Sequence, residues 1–182
     1  MKELSKELRE TLAKVGTSTL TGVLNRRGLK SMTLFDVRPV RDEQPAMVGI
    51  AYTMRFIPSR EDMDGPNSKN RSMIQPQAME ECPPGHVLVI DSRGDSRAAS
   101  AGDLYIGRLK ARGAAGIVTD GGFRDTNGVF KTGLPAYHRR PSSPPSWHTW
   151  RTPSPRAPPC SPAAARDPTS ARSSTSPRCS RA

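Results

Sequence analysis

From Arg139 to Ala182 the chain contains no Val, Ile, Leu, Met or Phe. Those 44 residues hold 10 Pro, 10 Ser and 8 Arg. Such a stretch cannot bury enough apolar surface to offset the entropy of ordering it. The core therefore has to come from Met1–His138, a length suited to one domain. Charge divides at the same place. The chain carries a formal +11, and the eight Arg and one Asp of the last 44 residues supply +7 of it. A basic chain ordinarily points to a polyanion, but here the excess lies in the tail and says little about the domain. The tail reads as disordered. Its composition is also that of out-of-frame translation of a GC-rich gene, which is the preferred reading because the domain ahead of it breaks off in mid-fold.

Cysteine usage and the N-terminus set the compartment. Cys82, Cys160 and Cys179 show no metal-ligand spacing, and an odd count without a framework fits a reducing environment. The charged Met1–Glu7 segment has no apolar signal region. No stretch has the length and apolarity of a bilayer-spanning helix. The expected location is the cytoplasm, with no membrane partner.

The periodicities predict an α/β domain. Leu4, Leu8, Leu12 and Val15 give an amphipathic helix over Lys2–Val15. Thr17-Ser-Thr caps a second helix through Arg27, with Gly28 past its end. Met47–Ile57 alternates as a strand, Arg60–Pro76 reads as a long polar loop, and Gln77–Glu81 as a short helix. His86–Asp91 and Ala115–Asp120 are short apolar runs of the kind buried on both faces. Between them Ser100–Arg112 is a helix, so the three form a right-handed crossover with parallel pairing. Gly121–Gly128 is expected as a loop and Leu134–Tyr137 as a strand.

Two polar clusters fall at one end of this unit, where parallel sheets bind ligands. Gly102 and Asp103 open the helix, whose free N–H groups and positive dipole end suit a carboxylate. Arg124 and Asp125 follow the second strand. A guanidinium grips carboxylates in bidentate fashion, and a carboxylate is a hard oxygen ligand for Mg²⁺ or Mn²⁺. Each piece also has a structural reading. Ser100-x-x-Asp103 fits a capping box, which would make Asp103 structural, and spacing alone leaves the two readings level. Arg124-Asp125 taken alone is an ordinary exposed turn pair. Thr126-Asn-Gly128 is an ordinary turn signal. His86 at a strand entrance suits a satisfied structural residue.

In combination, Gly102-Asp103, twenty intervening residues, then Arg124-Asp125 resembles the Gly-Asp-x20-Arg-Asp signature of the RraA-like family. Val87–Asp91, Gly94, Ala98, Gly113–Val118 and Leu134-Pro135 are similar as well, so the resemblance spans roughly Thr17 to His138. That family comprises 4-hydroxy-4-methyl-2-oxoglutarate and 4-carboxy-4-hydroxy-2-oxoadipate aldolases, which also decarboxylate oxaloacetate, and regulators of ribonuclease activity. The resemblance implies an α/β/β/α sandwich of the swivelling-domain type, here incomplete, assembled as a homotrimer or hexamer. It implies Asp125 as the ligand of a divalent cation (Mg²⁺ or Mn²⁺), Arg124 and Asp103 as catalytic residues, and Gly102, Asp103, Leu104, Tyr105 and Arg124 as contacts to a 2-oxo acid. Family members continue with further strands and an acid/base glutamate, neither of which has a counterpart after His138. The alternative is a non-catalytic regulator that binds ribonuclease E. A third reading, nucleic-acid binding, rests on the tail alone.

Overall fold

The computed structural model describes residues 4–58, 74–144 and 150–151. The expected disordered tail falls outside the described residues from residue 152 onward, as does most of the expected loop at Arg60–Pro76. Two helices open the chain, α1 (Lys6–Lys14) and α2 (Thr17–Arg26). Ser5 caps α1 by accepting the Leu8 N–H at 3.2 Å. The cap of α2 is Gly16 without a side-chain bond, so Thr17 is a helical residue and not the cap. Gly28 sits at φ 81°, the left-handed end expected of it. Neither helix buries a residue.

Parallel pairing then dominates. β1 (Arg38–Pro39), β2 (Ile50–Arg55), β4 (His86–Asp91), β6 (Gly116–Thr119) and β8 (Ala136–His138) form a five-stranded sheet in the order β1-β8-β6-β4-β2. Only β1 runs antiparallel within it. The strand expected over Met47–Ile57 is shorter, starting at Ile50, and it pauses at Phe56 before resuming as β3 (Ile57–Pro58). Buried Phe56 keeps the alternation with Met54, and its N–H donates to Asp91 O at 2.8 Å. A second parallel sheet joins β5 (Ala99–Ala101), β7 (Gly122–Phe123) and β9 (Arg140–Pro141). α3 (Ile74–Glu81) begins three residues before the expected Gln77, α4 (Asp103–Ala111) follows β5, and α5 (Thr126–Thr132) follows β7. This is the mixed α/β architecture that the periodicities predict.

The core lies between these layers. Leu88 and Ile90 from β4, Ile117 from β6, Ile106 and Leu109 from α4, Met79 from α3, Val129 from α5 and Phe123 from β7 are all shut off from solvent. The bidentate ion pair from Arg108 to Glu80, at 2.7 and 2.8 Å, joins α4 to α3 at the surface.

Two expectations change here. Ala99–Ala101 is a strand, not the first turn of α4, because it pairs with β7 and all three of its residues are buried. Ser100 consequently caps nothing, and the N-cap of α4 is Gly102. Gly121–Gly128 is not a loop but holds β7 and the start of α5. The chain also stays structured beyond His138. Ser142 N–H donates to Phe123 O at 2.9 Å and Ala99 N–H to Pro144 O at 2.8 Å, so backbone bonds replace the missing aliphatic contacts.

Three buried hydroxyls fasten the two sheets together. Ser92 Oγ lies 2.7 Å from Ser100 Oγ and 3.1 Å from Thr119 Oγ1, and Ser100 Oγ lies 2.9 Å from Thr119 Oγ1. Thr119 Oγ1 also accepts the Gly121 N–H at 3.0 Å. Gly121 leaves the room for them, since a Cβ there would stand 2.7 Å from Ser100 Oγ. Thr119→Val keeps the shape but leaves the Gly121 N–H without its acceptor. It should lower stability by about 1–3 kcal/mol in urea titrations, the usual cost of a buried group stripped of its partner.

Candidate active site

The two polar clusters converge because of how β5 and β7 leave their sheet. Asp120, at the end of β6, accepts the Ser92 N–H at 2.6 Å and the Gly94 N–H at 2.7 Å, which ties down the turn after β4. Arg124 N–H, just past β7, donates to Ala101 O at 3.0 Å. That bond sets Arg124 beside the start of α4. A Cβ on Gly102 would stand 2.9 Å from Arg124 Nε, 3.0 Å from Arg124 Cγ and 3.1 Å from Asp125 Oδ2. The φ of Gly102, −130°, is open to any residue, so the demand here is for space and not for conformation.

Asp125 stands ahead of α5 with φ 54° and ψ 41°, in the left-handed region. That conformation costs a residue with a Cβ about 1–2 kcal/mol, and aspartate is among the few that visit it. Its side chain caps no helix N–H, and Oδ2 pairs with Arg124 Nε at 3.2 Å. Both side chains are roughly half exposed, and such a pair is worth at most about 1 kcal/mol. Backbone geometry, not mutual attraction, therefore holds them together.

Asp103 begins α4, and its Oδ1 accepts the Leu104 N–H at 2.8 Å. The carboxylate rests on Gly128 of α5, where a Cβ would stand 2.9 Å from Asp103 Cγ and closer still to Oδ2. Thus Asn127-Gly128 is not a turn: Gly128 is a helical residue that lets α5 approach the head of α4. Leu104 is 80 % exposed, whereas Tyr105 is half-buried against the core. Sequence reasoning brings Gly102, Asp103, Arg124 and Asp125 into view, and the fold sets Gly102 against Arg124 and Asp125. It misses Gly128 and the segment after β9. A cleft of about 440 Å³ is lined by Arg124, Asp125, Asn127 and Gly128 together with Pro141, Ser142 and Ser143.

Comparison with known proteins bears on this arrangement. The family model described as "RraA-like: Aldolase/RraA" matches residues 17–151. The chain belongs to the RraA-like family. A protein of Halalkalibacterium halodurans named "Putative 4-hydroxy-4-methyl-2-oxoglutarate aldolase" is 33% identical over 112 residues, which are 62% of this chain and 47% of that protein. The chain thus spans about half the length of the curated relative it matches. Among solved structures, an RraA protein of Streptomyces coelicolor, titled an unusual member of the RNase ES inhibitor family, superposes with TM-score 0.70 at 26% identity. The match covers 85% of this chain and 73% of that one. The RNA-processing inhibitor RraA of Thermus thermophilis shares the fold, with TM-score 0.56 at 19% identity over 72% of this chain and 70% of that one.

The donor chemistry of the RraA-like cleft limits which metal it could take. Among the described residues no group of three or more His, Cys, Asp or Glu comes together. That argues against a closed zinc cage. A hard ion that keeps most of its water and uses one or two carboxylates plus substrate oxygens asks for less. Asp125, half exposed and capping nothing, fits that requirement.

His138 supports the same segment from below. It stacks on Phe123 with ring centroids 5.5 Å apart, and its Nδ1 accepts the Phe123 N–H at 3.3 Å. The ring is therefore neutral, with its proton on Nε2. Burial pushes its pKa below the ordinary 6.5. In the unfolded chain the same histidine binds a proton at the ordinary value, so the unfolded state gains protons first as pH falls. Stability should be full above about pH 6.5 and decline as pH drops toward the lowered folded value. Urea midpoints measured from pH 7.5 to 5.5 should show this decline, and His138→Gln should flatten it.

Proposed function

We propose that the Arg124–Asp125 cleft is the substrate site of a divalent-metal-dependent lyase. It would cleave 4-hydroxy-4-methyl-2-oxoglutarate-type 2-oxo acids to pyruvate and decarboxylate oxaloacetate by the same chemistry. One observation carries this reading: Gly102 leaves the head of α4 bare under Arg124 and Asp125, so a guanidinium, a carboxylate and a helix start share one small volume. The aldolase name of the Halalkalibacterium halodurans relative supports it.

Each group then has a task. The outer nitrogens of Arg124 hold the substrate carboxylate and remain close to the 2-oxo group. Negative charge grows on that oxygen as the C–C bond breaks, so a fixed cation there stabilises the transition state more than the ground state. A Mg²⁺ or Mn²⁺ ion held by Asp125 would supply Lewis acidity at the same oxygen. Asp103, steadied by the Leu104 N–H and by its seat on Gly128, orients a water or relays a proton at the head of α4. Homo-oligomeric assembly, as a trimer or hexamer, accompanies this reading, because α1 and α2 bury nothing and leave Leu8 and Val23 exposed, as is Leu29 just after α2.

A second reading, binding to ribonuclease E without catalysis, is supported by the likeness to the Streptomyces coelicolor protein, a member of the RNase ES inhibitor RraA family. Asp125→Ala separates the two. Under the lyase reading it should abolish Mn²⁺-dependent pyruvate release from oxaloacetate in a lactate-dehydrogenase-coupled assay, while Arg124→Lys should lower kcat about 100-fold or more. If pyruvate appears with neither metal, from this chain or from one extended to the length of its relatives, the lyase reading is lost.

Gly102→Ala gives a separate check. The Arg124 side chain can swing aside, so the unfolding midpoint should fall by less than the equivalent of about 1 kcal/mol. Pyruvate release should nevertheless drop at least about tenfold, because the displaced guanidinium no longer faces the substrate.

A further inference from the structure

Ser142 is 8 % exposed, and its hydroxyl is closed to solvent with no hydrogen-bond partner among the described residues. A buried hydroxyl in that condition is unfavourable and calls for an explanation. The surroundings show that its place is built. Ser142 N–H donates to Phe123 O at 2.9 Å, which fixes it alongside the Phe123–Arg124 peptide. Gly122 makes room for it, since a Cβ there would stand 2.7 Å from Ser142 Cβ. Ser142 also lines the cleft that Arg124 and Asp125 line. The hydroxyl is thus the one side-chain group of its segment that is both buried and unpaired among the described residues.

We infer that Ser142 is a substrate-contacting residue of this cleft, whose hydroxyl donates to an oxyanion of the 2-oxo acid held by Arg124. The inference rests on the lyase reading of the site. A serine hydroxyl has three staggered positions about its Cα–Cβ bond, and turning into the cleft exchanges an unpaired state for a charge-assisted hydrogen bond. That gain arises only when an anion is present, so the residue favours the loaded cleft over the empty one. Pro141 ahead of it and the Phe123 bond behind it hold the backbone still while the side chain turns.

Calorimetric titration with oxalate in the presence of Mg²⁺ tests this, oxalate having the planar, two-carboxylate shape of a 2-oxo acid near its enolate. Ser142→Ala keeps the backbone bond to Phe123 and should weaken oxalate about tenfold. The urea midpoint of Ser142→Ala should be no lower than that of the unsubstituted chain, since the hydroxyl it removes had no partner. Ser142→Cys, similar in size but a poor donor, should follow alanine. Unchanged affinity, or a lowered midpoint with unchanged affinity, overturns the assignment and leaves the lyase reading standing. If the unsubstituted chain fails to bind oxalate, both readings fall together.

Discussion

Where the ends of β4, β5 and β6 come together, three hydroxyls close a triangle of hydrogen bonds inside the protein. Ser92, Ser100 and Thr119 have no water to turn to, so each must find its partners among the other two. Their strands belong to different sheets. The triangle therefore fixes the offset between the sheets more tightly than apolar contact would, because hydrogen bonds are directional and hydrophobic burial is not. Everything at the cleft inherits that offset. β5 leads into Gly102 and α4, β7 leads into Arg124 and α5, and the register between them decides whether a guanidinium meets the head of a helix.

The charged groups themselves contribute little to this arrangement. Arg124 and Asp125 are half exposed, and water screens their attraction. The left-handed turn at Asp125 is mildly unfavourable by itself. A pair so weakly bound is held by the Arg124–Ala101 backbone bond, by the stacking of His138 on Phe123, and by the start of α5. Under the lyase reading this has a functional consequence. A guanidinium that spends little energy on its neighbour has most of its donors free for a ligand, and a carboxylate that caps nothing can face a cation. A stronger internal ion pair would make a more stable turn and a poorer site.

Legibility in the sequence followed the physics of each segment. β4 and β6 were readable because a strand buried on both faces needs an uninterrupted apolar run, and His86–Asp91 and Gly116–Thr119 supply one. Asp103, Arg124 and Asp125 were readable as a spaced motif, although their meeting depends on the β5–β7 register. Ala99–Ala101 was not readable as a strand, since two alanines and a serine have no β signature and the segment is extended only because β7 lies beside it. Asn127-Gly128 carries a local turn signal that tertiary packing overrides: Gly128 is there to admit the Asp103 carboxylate, a partner 25 residues away in sequence that no local window contains. His138 falls just past the expected strand Leu134–Tyr137 and reads as a loop residue, whereas the structure makes it the last residue of β8 and stacks it on Phe123.

The last segment makes a more general point about composition. Arg139 and the residues after it have no Val, Ile, Leu, Met or Phe, and burial energetics alone would leave them unstructured. Yet the stretch through residue 144 is joined to the second sheet, because an open strand edge offers unpaired N–H and C=O groups to any extended chain whatever its side chains. Phe123 O on β7 and the Ala99 N–H on β5 are such groups, and Ser142 N–H and Pro144 O pair with them. A small polar residue recruited in this way has no core to fill. It arrives with a hydroxyl that none of the described residues satisfies, beside a cleft lined by a guanidinium. In an interior that elsewhere pairs Ser92, Ser100 and Thr119 with one another, Ser142 is left without a partner among the described residues, and an anion in the cleft is the kind of group that would supply one.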